Sequence, residues 1–248
     1  MKTVVVGASS GLGRCIATHL GQQGASVALL SRRQDRLDEA AAEAGEDAIA
    51  IACDVTDEAS CRSAVEEAAS TMGGIDSLVY ATGVGSLQRI VDIDADAWRW
   101  AFETNVIGAS LITAAAIPYL EASSGVAAYL SSVQSSMTPP WPGMGSYSVS
   151  KAALDKLVEA WRAEHPKVGF TRVVVGECAG GEGPAQSGFA NEWDSDLASE
   201  VMPTWIARNY MTGLLMEVDE LLLVVDRVLA LGATASIPSV TIMPRHQT

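Results

Sequence analysis

Short apolar runs recur along this chain. Each is closed by a polar or glycine-bearing break and followed by a stretch with apolar residues every three or four positions. Runs of this kind lie at 3–6, 26–30, 48–52, 75–80, 126–130, 171–175 and 239–243. They are rich in Val, Ile, Leu and Ala and show little polar alternation, which predicts parallel strands buried on both faces. Helical periodicity fills the intervals: 14–22, a helix carrying Leu37, one starting near Asp57, then 94–102, 103–120, a helix holding Tyr147, 196–209 and 217–231. Strand and helix alternate without a Pro/Gly/Ser-rich linker or an internal repeat, so the pattern predicts one α/β domain over residues 1–248. Two segments break the rhythm: a proline-rich loop at about 133–146, and a glycine- and acid-rich stretch opening the loop region at about 176–210. Long irregular segments inside a compact domain are usually functional.

The 248 residues carry a formal charge of −14, which argues against nucleic acid as the main partner because phosphate is repelled by such a surface. Cys15, Cys53, Cys61 and Cys178 show neither CxxC nor Cys/His spacing, so reduced thiols and no metal site are expected. Met1-Lys2-Thr3 leads directly into an apolar strand with no signal-peptide pattern, and no apolar run approaches the ~20 residues of a bilayer span. A cytoplasmic protein without a membrane segment is expected.

The first strand enters Gly7-Ala8-Ser9-Ser10-Gly11-Leu12-Gly13 and then a helix. Glycines at this junction let a pyrophosphate approach the backbone, and the helix N-terminus offers free N–H groups and a positive dipole. The second strand ends in Ser31-Arg32-Arg33 with no acid before Asp35. An acid there would hold the ribose hydroxyls of NAD, whereas guanidinium groups suit the 2′-phosphate of NADP. NADP(H) is therefore favoured over NAD(H). Cys53-Asp54-Val55 ends the third strand; Asp54 either accepts from an adenine amino group or caps the next helix.

Tyr147 and Lys151 stand four residues apart, on one face of a helix. A phenol titrates near ~10, and a neighbouring ammonium is expected to lower that value, making the pair a proton-transfer device. Ser131 and Ser132 are delivered to the end of the fifth strand, with Ser135 and Ser136 close behind. Asn105 falls on an apolar helix face, where it must be hydrogen-bonded, as a structural bridge or as part of a proton path.

With these positions set out, the chain resembles the short-chain dehydrogenase/reductase family over essentially its whole length. Gly7, Gly11 and Gly13 match its glycine motif, Asp54 its adenine-site aspartate, Asn105 its relay asparagine, Ser132 its catalytic serine, and Tyr147 and Lys151 its Tyr-x-x-x-Lys pair. The resemblance implies a single doubly wound Rossmann domain with a mostly parallel seven-stranded sheet and helices on both faces. It implies a cofactor site drawing on Gly7, Ser9, Ser10, Gly11, Leu12, Gly13, Arg32, Arg33, Asp54, Val55, Ala81, Gly83, Tyr147 and Lys151. It also implies Tyr147 as general acid or base, Ser132 as the orienting hydroxyl, Lys151 as the group that lowers the tyrosine pKa, and Asn105 as holder of a water leading from Lys151 to solvent.

Three features depart from that pattern. Tyr80-Ala81-Thr82-Gly83 replaces Asn-Asn-Ala-Gly, and Glu177-Cys178-Ala179-Gly180-Gly181 stands where Pro-Gly is usual. The Ser132-to-Tyr147 interval is also about two residues long, with Gly143 or Gly145 to absorb the bend and Ser135 or Ser136 as rivals to Ser132. The end, Met243-Pro244-Arg245-His246-Gln247, is similar to a branch containing NADP-dependent hydroxy-acid and aldehyde reductases; His246 itself is read as a surface residue.

Met137, Trp141, Met144, Phe189 and Trp193 come from the two irregular loops and are candidates for the wall of an apolar pocket, or for closing the domain or a subunit contact. The predicted activity is NADP(H)-dependent interconversion of a secondary alcohol and a ketone or aldehyde. The alternatives are a cofactor-binding regulatory protein with little turnover, or an epimerase or dehydratase using NAD(P) transiently. The family resemblance further implies a homo-oligomer, a dimer or tetramer, built through the long helices after the fourth and fifth strands.

Overall fold

The computed structural model describes residues 1–178 and 180–245. Its seven strands are β1 (Lys2–Val6), β2 (Ser26–Ser31), β3 (Ala48–Ala52), β4 (Ser77–Tyr80), β5 (Val126–Ser132), β6 (Gly169–Val175) and β7 (Ser239–Ile242). They form one sheet in the order β3-β2-β1-β4-β5-β6-β7, and every pairing is parallel. The predicted architecture is therefore found, with β4 starting two residues later than the apolar run suggested. The order reverses at β1 and β4, whose neighbouring carboxyl ends open the crevice in which such sheets bind ligands.

The helices are α1 (Gly11–Gln22), α2 (Gln34–Ala44), α3 (Glu58–Met72), α4 (Ala95–Phe102), α5 (Gly108–Ser123), α6 (Val133–Ser136), α7 (Gly145–Glu164), α8 (Ser195–Ala207) and α9 (Val218–Leu229). The period-two alternation of strand side chains sorts the core into two layers. Val4, Val6, Leu78, Tyr80 and Tyr129 pack with residues of α3, α5 and α7. Val5, Leu29, Val79, Ala128 and Val173 pack with residues of α1, α2 and α9 on the other face.

Asp57, and not Asp54, caps α3 by accepting from Ser60 N at 2.8 Å. A π-helical turn, Glu103–Ile107, joins α4 to α5, where the sequence pattern predicts the start of a second α-helix, 103–120. The resulting helix, Ala95–Ser123, is long and apolar enough by composition to cross a membrane, with a mean hydropathy of 1.4 and 39 % of that window buried. No continuous apolar run marks this span in the sequence, because small and polar residues are interspersed along it. Here α5 packs against α3 and the sheet, as a core helix does.

Candidate functional site

The glycine loop forms a tight cradle. Gly7 and Gly11 adopt φ values of +87° and +59°, in the left-handed region that glycine tolerates. A Cβ on Gly13 would lie 2.3 Å from the Gly7 carbonyl oxygen, and one on Gly7 would lie 2.5 Å from Thr82 Oγ1. Leu12 follows within the first turn of α1. Ser10 occupies the N-cap position of α1 without a side-chain cap bond, so the dipole end of the helix faces the crevice. Such a cradle fits a dinucleotide pyrophosphate.

At the end of β2, Arg33 Nη2 donates to Ser9 Oγ at 2.8 Å and to Ser10 Oγ at 2.9 Å. These three side chains meet over the loop, and burial lowers the Arg33 pKa. Arg33 stands just before α2 without capping it. Arg32 is exposed and is felt by Asp54, whose pKa is lowered chiefly by the Thr56 N–H and further by Arg32. Asp54 Oδ1 closes a turn onto Thr56 N and Oγ1, beside Val55.

β5 carries Ser131 and Ser132 to the carboxyl edge, where the one-turn helix α6 follows. Gly143 (φ +87°) turns the chain into α7, and Gly145 lies within that helix. Ser132 Oγ accepts from Gln134 N at 3.2 Å. Ser135, a possible rival, is bound to Asp155 Oδ2 at 2.7 Å and to the Ser132 carbonyl at 2.7 Å, while Ser136 is exposed.

On α7, Tyr147 and Lys151 face this edge, with Lys151 Nζ 5.9 Å from the Tyr147 ring centroid. Lys151 is buried and donates to the Leu130 carbonyl at 2.8 Å. Burial pulls its pKa down to about 8, against the opposing charge of Asp155. The Tyr147 phenol is pushed up to about 12 by burial, with a hydrogen bond to Ser132 pulling the other way. This corrects the sequence expectation: in this structure dehydration outweighs any ammonium effect at Tyr147.

The loop after β4 is fitted to both groups. A Cβ on Gly83 would sit 3.1 Å from Lys151 Nζ, and one on Gly85 would lie 2.8 Å from Tyr147 Cβ. Asn105, fully buried in the π-helical turn, accepts from Val84 N and donates to Val84 O and Ser150 Oγ, each at 2.8 Å. Its side chain thus bridges the Gly83–Gly85 loop to α7. π-turns of this kind recur at functional sites.

Of the five pocket candidates, Phe189 stands edge-on to the Tyr147 ring at 4.9 Å, and Trp193 in turn meets Phe189 edge-on at 5.5 Å. Trp141 and Met144 are buried in the same cluster, with Trp141 against Trp205 at 5.1 Å. Met137 is 56 % exposed and stands apart from this cluster.

The family model described as short chain dehydrogenase matches residues 2–187. The chain belongs to this family. It is 34 % identical to an 11-beta-hydroxysteroid dehydrogenase A of Sesamum indicum over 70 % of this chain and 51 % of that protein. It is 37 % identical to a short chain dehydrogenase of Pseudocercospora fijiensis over 65 % of this chain and 53 % of that protein. The match thus spans about half the length of these two relatives. Among solved structures, the closed form of a serine dehydrogenase complexed with NADP+ superposes with a TM-score of 0.83 at 23 % identity, covering 100 % of this chain and 96 % of that one. That likeness is one of fold.

Against the short-chain dehydrogenase pattern, two substitutions acquire physical content. Tyr80, at the first asparagine position, sends its hydroxyl to the Thr104 carbonyl at 2.5 Å, inside the π-turn. Glu177, opening the segment that stands where Pro-Gly is usual, is buried and accepts from Thr212 N and Oγ1, while its carbonyl accepts from Met216 N at 2.9 Å. It ties down both ends of the segment bearing Phe189 and Trp193. Neither pairing has a local sequence signal, because the partners are 24 and 35 residues away. His246 and Ala179 lie outside the described residues. Among those described, no group of three His, Cys, Asp or Glu side chains is placed to hold a metal.

Proposed function

We propose that this short-chain dehydrogenase is an NADP(H)-dependent oxidoreductase interconverting a secondary alcohol with a ketone or aldehyde. The observation that carries the reading is the convergence of Ser132, Tyr147 and Lys151 beside the glycine-lined crevice. The cofactor held over the glycine cradle would, when bound, supply the hydride. The Ser132 hydroxyl stands near enough to the Tyr147 phenol to oppose the effect of burial on its pKa, and the two together present hydroxyls to a carbonyl oxygen. A phenol with a pKa near 12 keeps its proton at neutral pH, so Tyr147 is set to act as an acid, in the reductive direction. Lys151, with a pKa near 8, exchanges protons readily close to neutrality and can restore the phenol. Asn105 acts by fixing the loop between Gly83 and Gly85, which packs on both residues.

The fold accommodates either nicotinamide cofactor, as structural neighbours complexed with NADP+ and with NADH illustrate. The preference for NADP(H) therefore rests on Arg33 with Ser9 and Ser10, with Arg32 alongside. Guanidinium and hydroxyl donors suit a 2′-phosphate, and β2 ends without an acid. The test is side-by-side titration with NADPH and NADH, followed by nicotinamide fluorescence, on wild type and Arg33→Ala. Tight NADPH and weak NADH binding, with the gap narrowed by the substitution, is expected. Equal binding by the wild type refutes the preference.

A ketone and aldehyde screen with Tyr147→Phe as control then tests turnover. Cofactor binding with no turnover would favour the regulatory reading, for which the cover of Phe189 over Tyr147 is the supporting observation. A product of unchanged oxidation state would favour the epimerase or dehydratase. We further propose a cytoplasmic homo-oligomer, dimer or tetramer, joined through α4, α5 and α7. Exposed Trp100, Ile107 and Val149 on this stretch support it, and sedimentation would measure it.

A further inference from the structure

Asp155 lies one turn beyond Lys151 on α7, on the same helix face, and only 5 % of it is exposed. Its Oδ2 receives the Ser135 hydroxyl at 2.7 Å, and its buried Oδ1 has no hydrogen-bond partner. A buried carboxylate with one oxygen unpaired is costly, and such groups call for an explanation. Ser135 Oγ also lies 2.7 Å from the Ser132 carbonyl, which competes with Asp155 for its one proton, and it accepts from Ser131 Oγ at 3.2 Å. The same stretch of β5 provides the Leu130 carbonyl that holds the Lys151 ammonium. One carboxylate is thus linked to the end of β5 through Ser135 and stands one helical turn from the lysine.

We propose that Asp155 is a positioning residue for the Ser132–Tyr147–Lys151 site. Through Ser135 it fixes the carboxyl end of β5, and through its charge it holds Lys151 as an ammonium aimed at Leu130. The other charged groups nearby are on β6 and α7. Arg172 Nη1 is 3.9 Å from Asp155 Oδ2 and is itself paired with Glu159 at 3.1 Å. Arg172 is therefore shared, which leaves the Asp155 charge incompletely neutralised and able to act on Lys151 across a dry interior. That field opposes the effect of burial on the lysine. The inference builds on the catalytic reading given above, but its first test needs no turnover.

The first test is urea unfolding of wild type, Lys151→Met, Asp155→Asn and the Lys151→Met/Asp155→Asn pair from pH 6 to 10. The pH at which the lysine's contribution begins to change is read from the difference within each pair. In the Asp155→Asn background this onset should fall by about one pH unit, because loss of a nearby opposite charge lets a buried ammonium shed its proton sooner. An unmoved onset overturns the proposal, whatever the protein's activity.

The second test uses Ser135→Ala, which cuts the link to β5 but keeps the charge. NADPH titration should be unchanged within twofold, and kcat on whichever carbonyl compound the screen yields should fall at least tenfold with KM within twofold. The pH dependence should stay in place. Unchanged kcat would overturn the β5 half of the proposal. If Asp155→Asn does not fold, Asp155→Glu, which keeps the charge but misplaces it, takes its role. Its expected signature is a fall in kcat with the onset retained, and wild-type kcat would overturn the proposal.

Discussion

Replacing Lys151 by Met should change the pH dependence of stability in a calculable way. Lys151 has an ordinary pKa of 10.5 in the unfolded chain, and burial brings it to about 8 in the folded protein. Between those values the unfolded chain holds a proton that the folded protein has shed. Stability therefore rises with pH across this window, and below about 8, where both states are protonated, the contribution is flat. The full shift corresponds to about 3.4 kcal/mol, of which about 2 kcal/mol is developed by pH 9.5. Other buried groups oppose it. Tyr80, Tyr129 and Tyr147, and Cys15, Cys61 and Cys178, are all raised by their surroundings, so each loses stability as the pH passes its unfolded value. Wild type alone could therefore show no net rise. In the difference between wild type and Lys151→Met those contributions cancel. Urea unfolding at fixed protein concentration should show wild type gaining about 2 kcal/mol on the variant between pH 7 and pH 9.5. A constant difference across that range would mean that Lys151 is not held dehydrated, and would remove the proton-exchange role assigned to it.

Three further outcomes are expected. Gly83→Ala places a methyl 3.1 Å from Lys151 Nζ, a flexible tip that can yield, so stability should change by under about 1 kcal/mol while turnover falls about tenfold; a large loss of stability with normal kcat would refute this. Asn105→Ala strands Val84 N and O, at about 1–3 kcal/mol for each buried group left unpaired; a loss below 1 kcal/mol in urea unfolding would mean that the bridge is replaced by water. Phe189→Ala uncovers the Tyr147 ring, so its pKa should fall from about 12 toward 10. The ultraviolet difference titration of Phe189→Ala against Phe189→Ala/Tyr147→Phe reads this directly, and a midpoint that stays near 12 would show that the dehydration has another source.

The parts legible in the sequence were those written in local periodicity. β1 to β7 are continuous buried runs, and the cradle at Gly7, Gly11 and Gly13 is a strand-to-helix junction whose glycines are forced by contacts of 2.3 to 2.5 Å for two of them. What sequence spacing could not supply was solvation and long-range pairing. The proximity of Tyr147 and Lys151 suggested an acidified phenol, but burial sets the sign at both residues, and burial depends on Phe189, Gly85 and β5, far away in the chain. Arg32 and Arg33 were indistinguishable until one of them met Ser9 and Ser10. The aromatic candidates divided for the same reason: Trp141 finds Trp205, whereas Phe189 finds Tyr147, and composition cannot choose between such partners.

The departure at Tyr80 joins these threads. In place of a small amide, a phenol spans from the sheet to the Thr104 carbonyl, one residue before Asn105, inside a turn that has left α-helical hydrogen bonding. Tyr80 gives that carbonyl a hydroxyl donor from a fully buried position. The asparagine missing after β4 is therefore replaced by a longer support acting on the turn that aims Asn105 at Val84 and Ser150. The altered motif changes how the loop beside Lys151 is held, and the loop is still held.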